Sequence, residues 1–151
     1  MTGRALRRLR RDAAGSTSVE FAMTALSLLV VTLGVVELGV VCWSWQVLEG
    51  AASDAARCAG INATGSPCAN VTTTPSNTQT YAATAAQTRG LSSITTSNVT
   101  VSTGTGLAAC GSTTANVVSV TLTYQISLVF VVALPSSISA TACYPIVAAA
   151  G

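Results

Sequence analysis

From Phe21 to Trp45 the chain runs for 25 residues with a single charge, Glu37, and is apolar on every face of a helix. As an α-helix that stretch is roughly 37 Å long. A bilayer core needs about 20 residues. A segment without a solvated side does not suit the surface of a soluble domain, so the pattern predicts a membrane-spanning helix. The alternative, a buried core helix, needs an apolar wrapping that the polar remainder of the chain does not offer. The helical pattern continues past Trp45 through Ala51, Ala52, Ala55, Ala56 and Ala59. Asp54 and Arg57 are spaced i, i+3 and can pair, and Gly60 is placed to end the helix.

Beyond Gly60 the pattern changes. Residues 61–80, rich in Thr, Asn, Ser and Pro, predict a loop with Pro67 and Pro75 as breakers. Tyr81 to Arg89 is a short alanine-rich helical candidate stopped by Gly90. Val99–Val101 predicts a short strand, and Gly104, Gly106 and Gly111 mark turns. Val117 to Tyr124 alternates as a half-buried strand does. Leu128 to Leu134 reads either as a buried strand or as a surface that docks on a neighbour; it is too short for a second span. Pro135 ends it, and Ile138 to Tyr144 predicts a last strand. The expected fold class is α+β: a long N-terminal transmembrane helix extending outside the membrane, then a small antiparallel β-rich exported domain packed on its outer half. The expected boundaries are a basic leader over 1–15, the helix over 16–60 and the exported domain over 61–151.

Charge sets the orientation. Half of the residues are apolar and only 8% are charged, against about 25% in soluble domains. Five of the seven arginines (Arg4, Arg7, Arg8, Arg10 and Arg11) precede residue 12. A basic cluster before a span stays in the cytoplasm, which places the N-terminus inside and the C-terminal domain outside. Trp43 and Trp45 then fall near the far interface, where indole rings prefer to lie. From Ser16 onward four acids face two arginines, a net charge of −2. Such a surface does not favour nucleic acid, because phosphate neutralisation supplies most of that affinity.

Cys42 lies in the apolar run and reads as a small packing residue. Cys58, Cys68, Cys110 and Cys143 fall in the exported part, normally an oxidising location. Four cysteines allow three pairings. Cys58–Cys68, closing a short loop onto the helix end, and Cys110–Cys143, tying the two ends of the sheet, are favoured. A zinc site is not expected, since the chain has no histidine and no C-x-x-C spacing. Three Asn-x-Thr triplets, at Asn62, Asn70 and Asn98, are what so threonine-rich a segment produces by coincidence.

Residues 15–21 read Gly-Ser-Thr-Ser-Val-Glu-Phe. A charged Glu20 at the start of a membrane segment needs an explanation. One is local: Thr17-Ser18-Val19-Glu20 fits the capping box, with Thr17 and Glu20 satisfying each other's backbone amides. The other uses more residues. Five arginines, Gly15, a glutamate five places on, Phe21 and a long apolar helix together resemble a type IVb prepilin. Arg10 to Gly39 (RRDAAGSTSVEFAMTALSLLVVTLGVVELG) is similar to the TadE-like pseudopilins of the tight-adherence (Tad/Flp) pilus system. The shared features are the Val19-Glu20-Phe21-Ala22 start, the apolar middle, and a second acid in Gly34-Val35-Val36-Glu37-Leu38-Gly39. The specific resemblance covers residues 4–50, and the exported part resembles the family only loosely.

The resemblance implies a single span with the N-terminus inside, a small exported domain, and cleavage by a prepilin peptidase between Gly15 and Ser16. Glycine at the cut allows close backbone approach. Cutting exposes an α-amino group on Ser16 that is largely cationic at pH 7, a partner for Glu20 within the subunit or on a neighbour. Major pilins of this system are shorter and typically carry tyrosine after the glutamate, so Phe21 and the chain length imply a minor subunit. Glu20, Phe21 and Glu37 become the expected assembly residues. Gly34 and Gly39 thin the helix around Glu37, although an acid simply reaching toward the interface is an equal alternative. The implied partners are the prepilin peptidase, other Tad pilins, assembly-platform proteins and membrane lipid.

Nothing in the sequence suggests catalysis. There is no histidine, no G-x-S-x-G, no S-x-x-K and no phosphate loop. Outside the apolar run the acids Glu49 and Asp54 fall on the expected helical stalk, and no acid–base pair in a pocket is in view. No cofactor, nucleic acid or small-molecule substrate is expected. Two alternatives stay open. An uncleaved anchor would make the chain a membrane-tethered binding or adhesion module. A cut near Gly50, Ala51 and Ala52 would release a secreted domain, although the apolar run exceeds the 7–15 residues of a signal core. Lipid attachment at Cys42 is disfavoured by Val41 before it and by its depth in the chain.

Overall fold

A computed structural model describes residues 3–61, 64–111, 115–127 and 136–147, with side chains in the first helix from Thr17 onward. Leu128 to Leu134, with Pro135, and Asn62 lie outside the described residues. The elements are α1 (Gly3–Ile61), α2 (Pro75–Thr88), β1 (Val99–Gly104), β2 (Val117–Gln125) and β3 (Ser137–Pro145), with short 3-10 turns at Thr96–Asn98 and Ala108–Cys110. The fold is α+β, a long apolar helix followed by a short helix and a three-stranded antiparallel sheet in the order β1-β2-β3.

Two units can be described separately, dividing at Gly39 and Val40. In the first, every described residue from Thr17 to Gly39 is exposed except Ala25, Leu33, Gly34 and Glu37, which are half-buried. Among the described residues, one helix, Thr17–Ile61, is long and apolar enough to cross a membrane, and none of its most apolar window is buried within the chain.

The second unit has a core. Val47, Leu48, Ala51, Ala52, Ala55, Ala56 and Ala59 recur along α1 at i, i+3 and i+4 and are buried. They meet Ala82, Ala83 and Ala86 of α2, then Leu91 and Ile94, and the inward residues Val99, Val118, Val120, Leu122 and Ala140 of the sheet. Alanine on both helices lets the backbones approach closely, while leucine, isoleucine and valine fill the space toward the sheet. Full burial of each such branched side chain is worth about 1.5–3 kcal/mol. The register aligns Val101, Val120 and Ala142 on the inner face, and Thr100, Thr121 and Thr141 on the outer one. There the Thr121 and Thr141 hydroxyls are 2.9 Å apart. Two disulfides close the domain, Cys58–Cys68 and Cys110–Cys143, each with a Cα separation of 5.7 Å.

Local expectations are revised at four places. α1 already includes the basic leader, starting at Gly3, so Thr17 lies well inside a helix and is not an N-cap. The capping box at Thr17–Glu20 therefore does not form in the intact chain, since helix-interior amides are satisfied by the preceding turn. α2 begins at Pro75, not at Tyr81. Proline suits the first helical position, where the missing N–H would be unpaired anyway. Gly60 does not adopt the left-handed conformation of a terminating cap; α1 runs to Ile61, and Gly60 makes room for β3. Asp54 pairs with Arg89 rather than Arg57.

Candidate functional site

The assembly residues expected from the sequence all lie on α1. Glu20 and Phe21 are both exposed, Phe21 at 73%. Gly15 and Ser16 fall within the span of the helix, but their side chains lie outside the described residues. Glu37 is half-buried, on the same side of the helix as Leu33 and Gly34 at i−4 and i−3. It stands 17 residues beyond Glu20, about 25 Å along the axis, so the two acids act as separate groups. Among the described residues, a Cβ added at Gly34 or Gly39 would meet nothing within 4 Å beyond its own stretch of helix.

Hydroxyls in this stretch are satisfied by the helix itself. Thr24 Oγ1 donates to the Glu20 and Phe21 carbonyls, both at 3.0 Å, Ser27 Oγ to Met23 at 2.9 Å and Thr32 Oγ1 to Leu28 at 2.7 Å. Each bond hides a polar group that would otherwise be costly in hydrocarbon. The exposed surface of α1 is left to large apolar side chains, Leu26, Leu28, Leu29, Val30 and Val31 among them. Such a surface suits lipid or other helices.

A second feature lies where the apolar run ends, and the sequence pattern did not reveal it. α2 closes with a Schellman arrangement. Leu91 N–H donates to the Ala86 carbonyl at 3.1 Å and Gly90 N–H to Gln87 at 3.0 Å, with Gly90 at φ +104°. That cap delivers Arg89 and Gly90 to α1. A Cβ on Gly90 would lie 2.8 Å from Trp43 Cη2, and a Cβ on Gly50 would lie 2.8 Å from Arg89 Nη1. Two glycines therefore make space for an indole and a guanidinium. The Arg89 guanidinium then bonds the Asp54 carboxylate. Trp43, Gln46, Val47, Gly50, Ser53, Asp54 and Arg89 line an open groove of about 570 Å³. The only sequence clue was that Arg89 is the sole charged residue after Arg57.

Among the described residues no group of three or more His, Cys, Asp or Glu side chains is placed to hold a metal ion. Residues 15–57 match the family described as TadE-like protein. This segment is TadE-like. It takes in Gly15, Ser16, Glu20, Phe21 and Glu37, along with Trp43, Gly50 and Asp54, and stops one residue short of Cys58. The TadE-like part is thus the apolar helix with its alanine-rich continuation, and the disulfide-bonded sheet lies beyond it. No curated protein and no solved structure matches the chain.

Proposed function

We propose that this chain is a minor pseudopilin, a structural and assembly subunit of a Tad-type (type IVb) pilus. The observation that carries it is the TadE-like match over residues 15–57, which begins at the glycine where a prepilin peptidase would cut. Its basic leader stays in the cytoplasm, α1 spans the membrane once, and the disulfide-bonded domain is exported. Cleavage between Gly15 and Ser16 frees an α-amino group, and Glu20 pairs with that cation during assembly. Phe21 and Glu37 present the rest of the contact surface to other Tad pilins and to the assembly platform. Three features support this: the exposed apolar surface of α1, five of the seven arginines gathered before the apolar run, and paired cysteines confined to the part after it, as expected for an oxidising compartment. The function needs no cofactor and no substrate chemistry.

The mass of the native N-terminus tests this. A mature chain beginning at Ser16 is expected, and Gly15→Val should leave the leader attached, because a β-branched residue obstructs backbone approach at the cut. A native chain that retains Met1 or Thr2 would instead make it an uncleaved, membrane-tethered module. A native chain beginning near Ala52 would make it a released domain.

A further inference from the structure

We propose that the groove between α1 and the cap of α2 seats the headgroup of a zwitterionic aminophospholipid, with the phosphate on Arg89 and the ammonium on Asp54. The proposal rests on the membrane reading of α1. The bland account of the Arg89–Asp54 pair is a clamp joining the two helices. The pair is poorly suited to that alone: its side chains are 40% and 49% exposed, and exposed ion pairs contribute about 0–1 kcal/mol. Yet Gly50 leaves room for the guanidinium, and Gly90, which the left-handed cap of α2 requires in any case, leaves room for the indole beside it. A Cβ at Gly50 would crowd Arg89 Nη1, and one at Gly90 would crowd the Trp43 indole, each at 2.8 Å. The groove also takes the only cation found after Arg57.

The order of groups along α1 matches the order of groups in such a lipid. Trp43 comes first, at the end of the apolar run, where an indole marks the acyl boundary. The guanidinium follows over Gly50, and the Asp54 carboxylate lies outermost. From Trp43 to Asp54 is about 16 Å of helix, enough to contain a headgroup layer of about 5–8 Å. Asp54 occupies Arg89 Nη2, and a guanidinium has five N–H donors in a planar fork, so donors remain for a phosphate. The groove carries one charge of each sign. It complements a headgroup that is itself a phosphate–ammonium pair, and repels part of any headgroup that is purely anionic.

The test uses the full chain in bilayers of equal parts phosphatidylethanolamine and phosphatidylglycerol, with retained lipid measured by native mass spectrometry. Phosphatidylethanolamine should be enriched about tenfold, the scale of one charge-assisted contact. Arg89→Gln should abolish the enrichment, and Asp54→Asn should turn the preference toward phosphatidylglycerol. Gly50→Ala displaces the guanidinium without altering any charge and should weaken the enrichment. All three variants should still co-float with vesicles and keep both disulfides. Equal retention of the two lipids by the native chain overturns the proposal, as does enrichment that survives Arg89→Gln. A native chain that fails to co-float with vesicles overturns the membrane reading and the lipid seat together.

Discussion

The Tyr144 ring lies against the backbone of Gly60, so that the end of β3 rests directly on the last turn of α1. A Cβ at Gly60 would intrude on the ring and stand 2.7 Å from the Pro145 carbonyl oxygen. Val147 N–H donates to the Gly60 carbonyl at 2.9 Å, satisfying a group that the helix end leaves unpaired. Gly60→Ala should therefore destabilise the disulfide-bonded domain by about 1–3 kcal/mol, the usual cost of overpacking a tight contact, although alanine is the better helix former. Denaturant unfolding of the detergent-solubilised chain measures this. An unchanged midpoint would show that β3 can shift away without penalty.

Thr78 on α2 is fully buried, and its hydroxyl has no hydrogen-bond partner among the described residues. Valine has nearly the same shape and no polar atom. Thr78→Val should be neutral or stabilising by up to about 1 kcal/mol, because an unsatisfied buried hydroxyl carries its desolvation cost in the native chain. Thr78→Ser keeps the hydroxyl and removes a methyl, so it should lower the melting temperature. A lower melting temperature in the valine variant would mean that the hydroxyl is satisfied in solution, by water or by another group.

The two disulfides should differ in what they contribute. They close loops with sequence separations of 10 and 33. Restricting the unfolded chain favours the longer loop, giving about 3 kcal/mol for Cys58–Cys68 and about 4 kcal/mol for Cys110–Cys143. Cys110→Ser with Cys143→Ser should accordingly lower stability more than Cys58→Ser with Cys68→Ser. Non-reducing peptide mapping, followed by unfolding of each double variant, measures both the pairing and its ranking.

What could be read from the sequence divides by the range of the information. The apolar run, the strands near Val117–Tyr124 and Ile138–Tyr144, and the turns at Gly106 and Gly111 are set by short periodicities and by glycine and are legible, whereas Gly104 is the last residue of β1. The missed features depend on residues far apart in the chain. Asp54 was matched to Arg57 because i, i+3 spacing is visible locally, yet an exposed helical pair is worth only about 0.2–0.5 kcal/mol. Packing of Ala82 and Ala86 against α1 instead carries Arg89 over Gly50. Gly60 and Gly90 read as helix stops and Gly50 as part of a small-residue site, but in the fold each gives room to a side chain from another element. Pro75 looked like a breaker because its role depends on whether a helix follows.

Glu20 offers the sharpest test of how the TadE-like segment acts. In the intact chain α1 extends back to Gly3, so Glu20 cannot serve a helix end there; a capping role becomes available only if the leader is removed. After a cut at Ser16, two partners compete for the carboxylate. One is the newly exposed backbone of the same helix, and the other is an α-amino group, on the same subunit or the next. Glutamine keeps the length and hydrogen-bonding shape of the side chain but not its charge. A cap should tolerate it with little loss. An ion pair buried between subunits should not, because leaving one charge unpaired costs about 3–5 kcal/mol, or a hundredfold and more in affinity. Glu20→Gln is expected to insert and be processed normally, yet fail to co-purify with other pilins and fail to support piliation. Normal piliation by this variant, with the mature N-terminus intact, would assign Glu20 to the cap and leave the assembly contact to Phe21, Glu37 and the apolar surface around them.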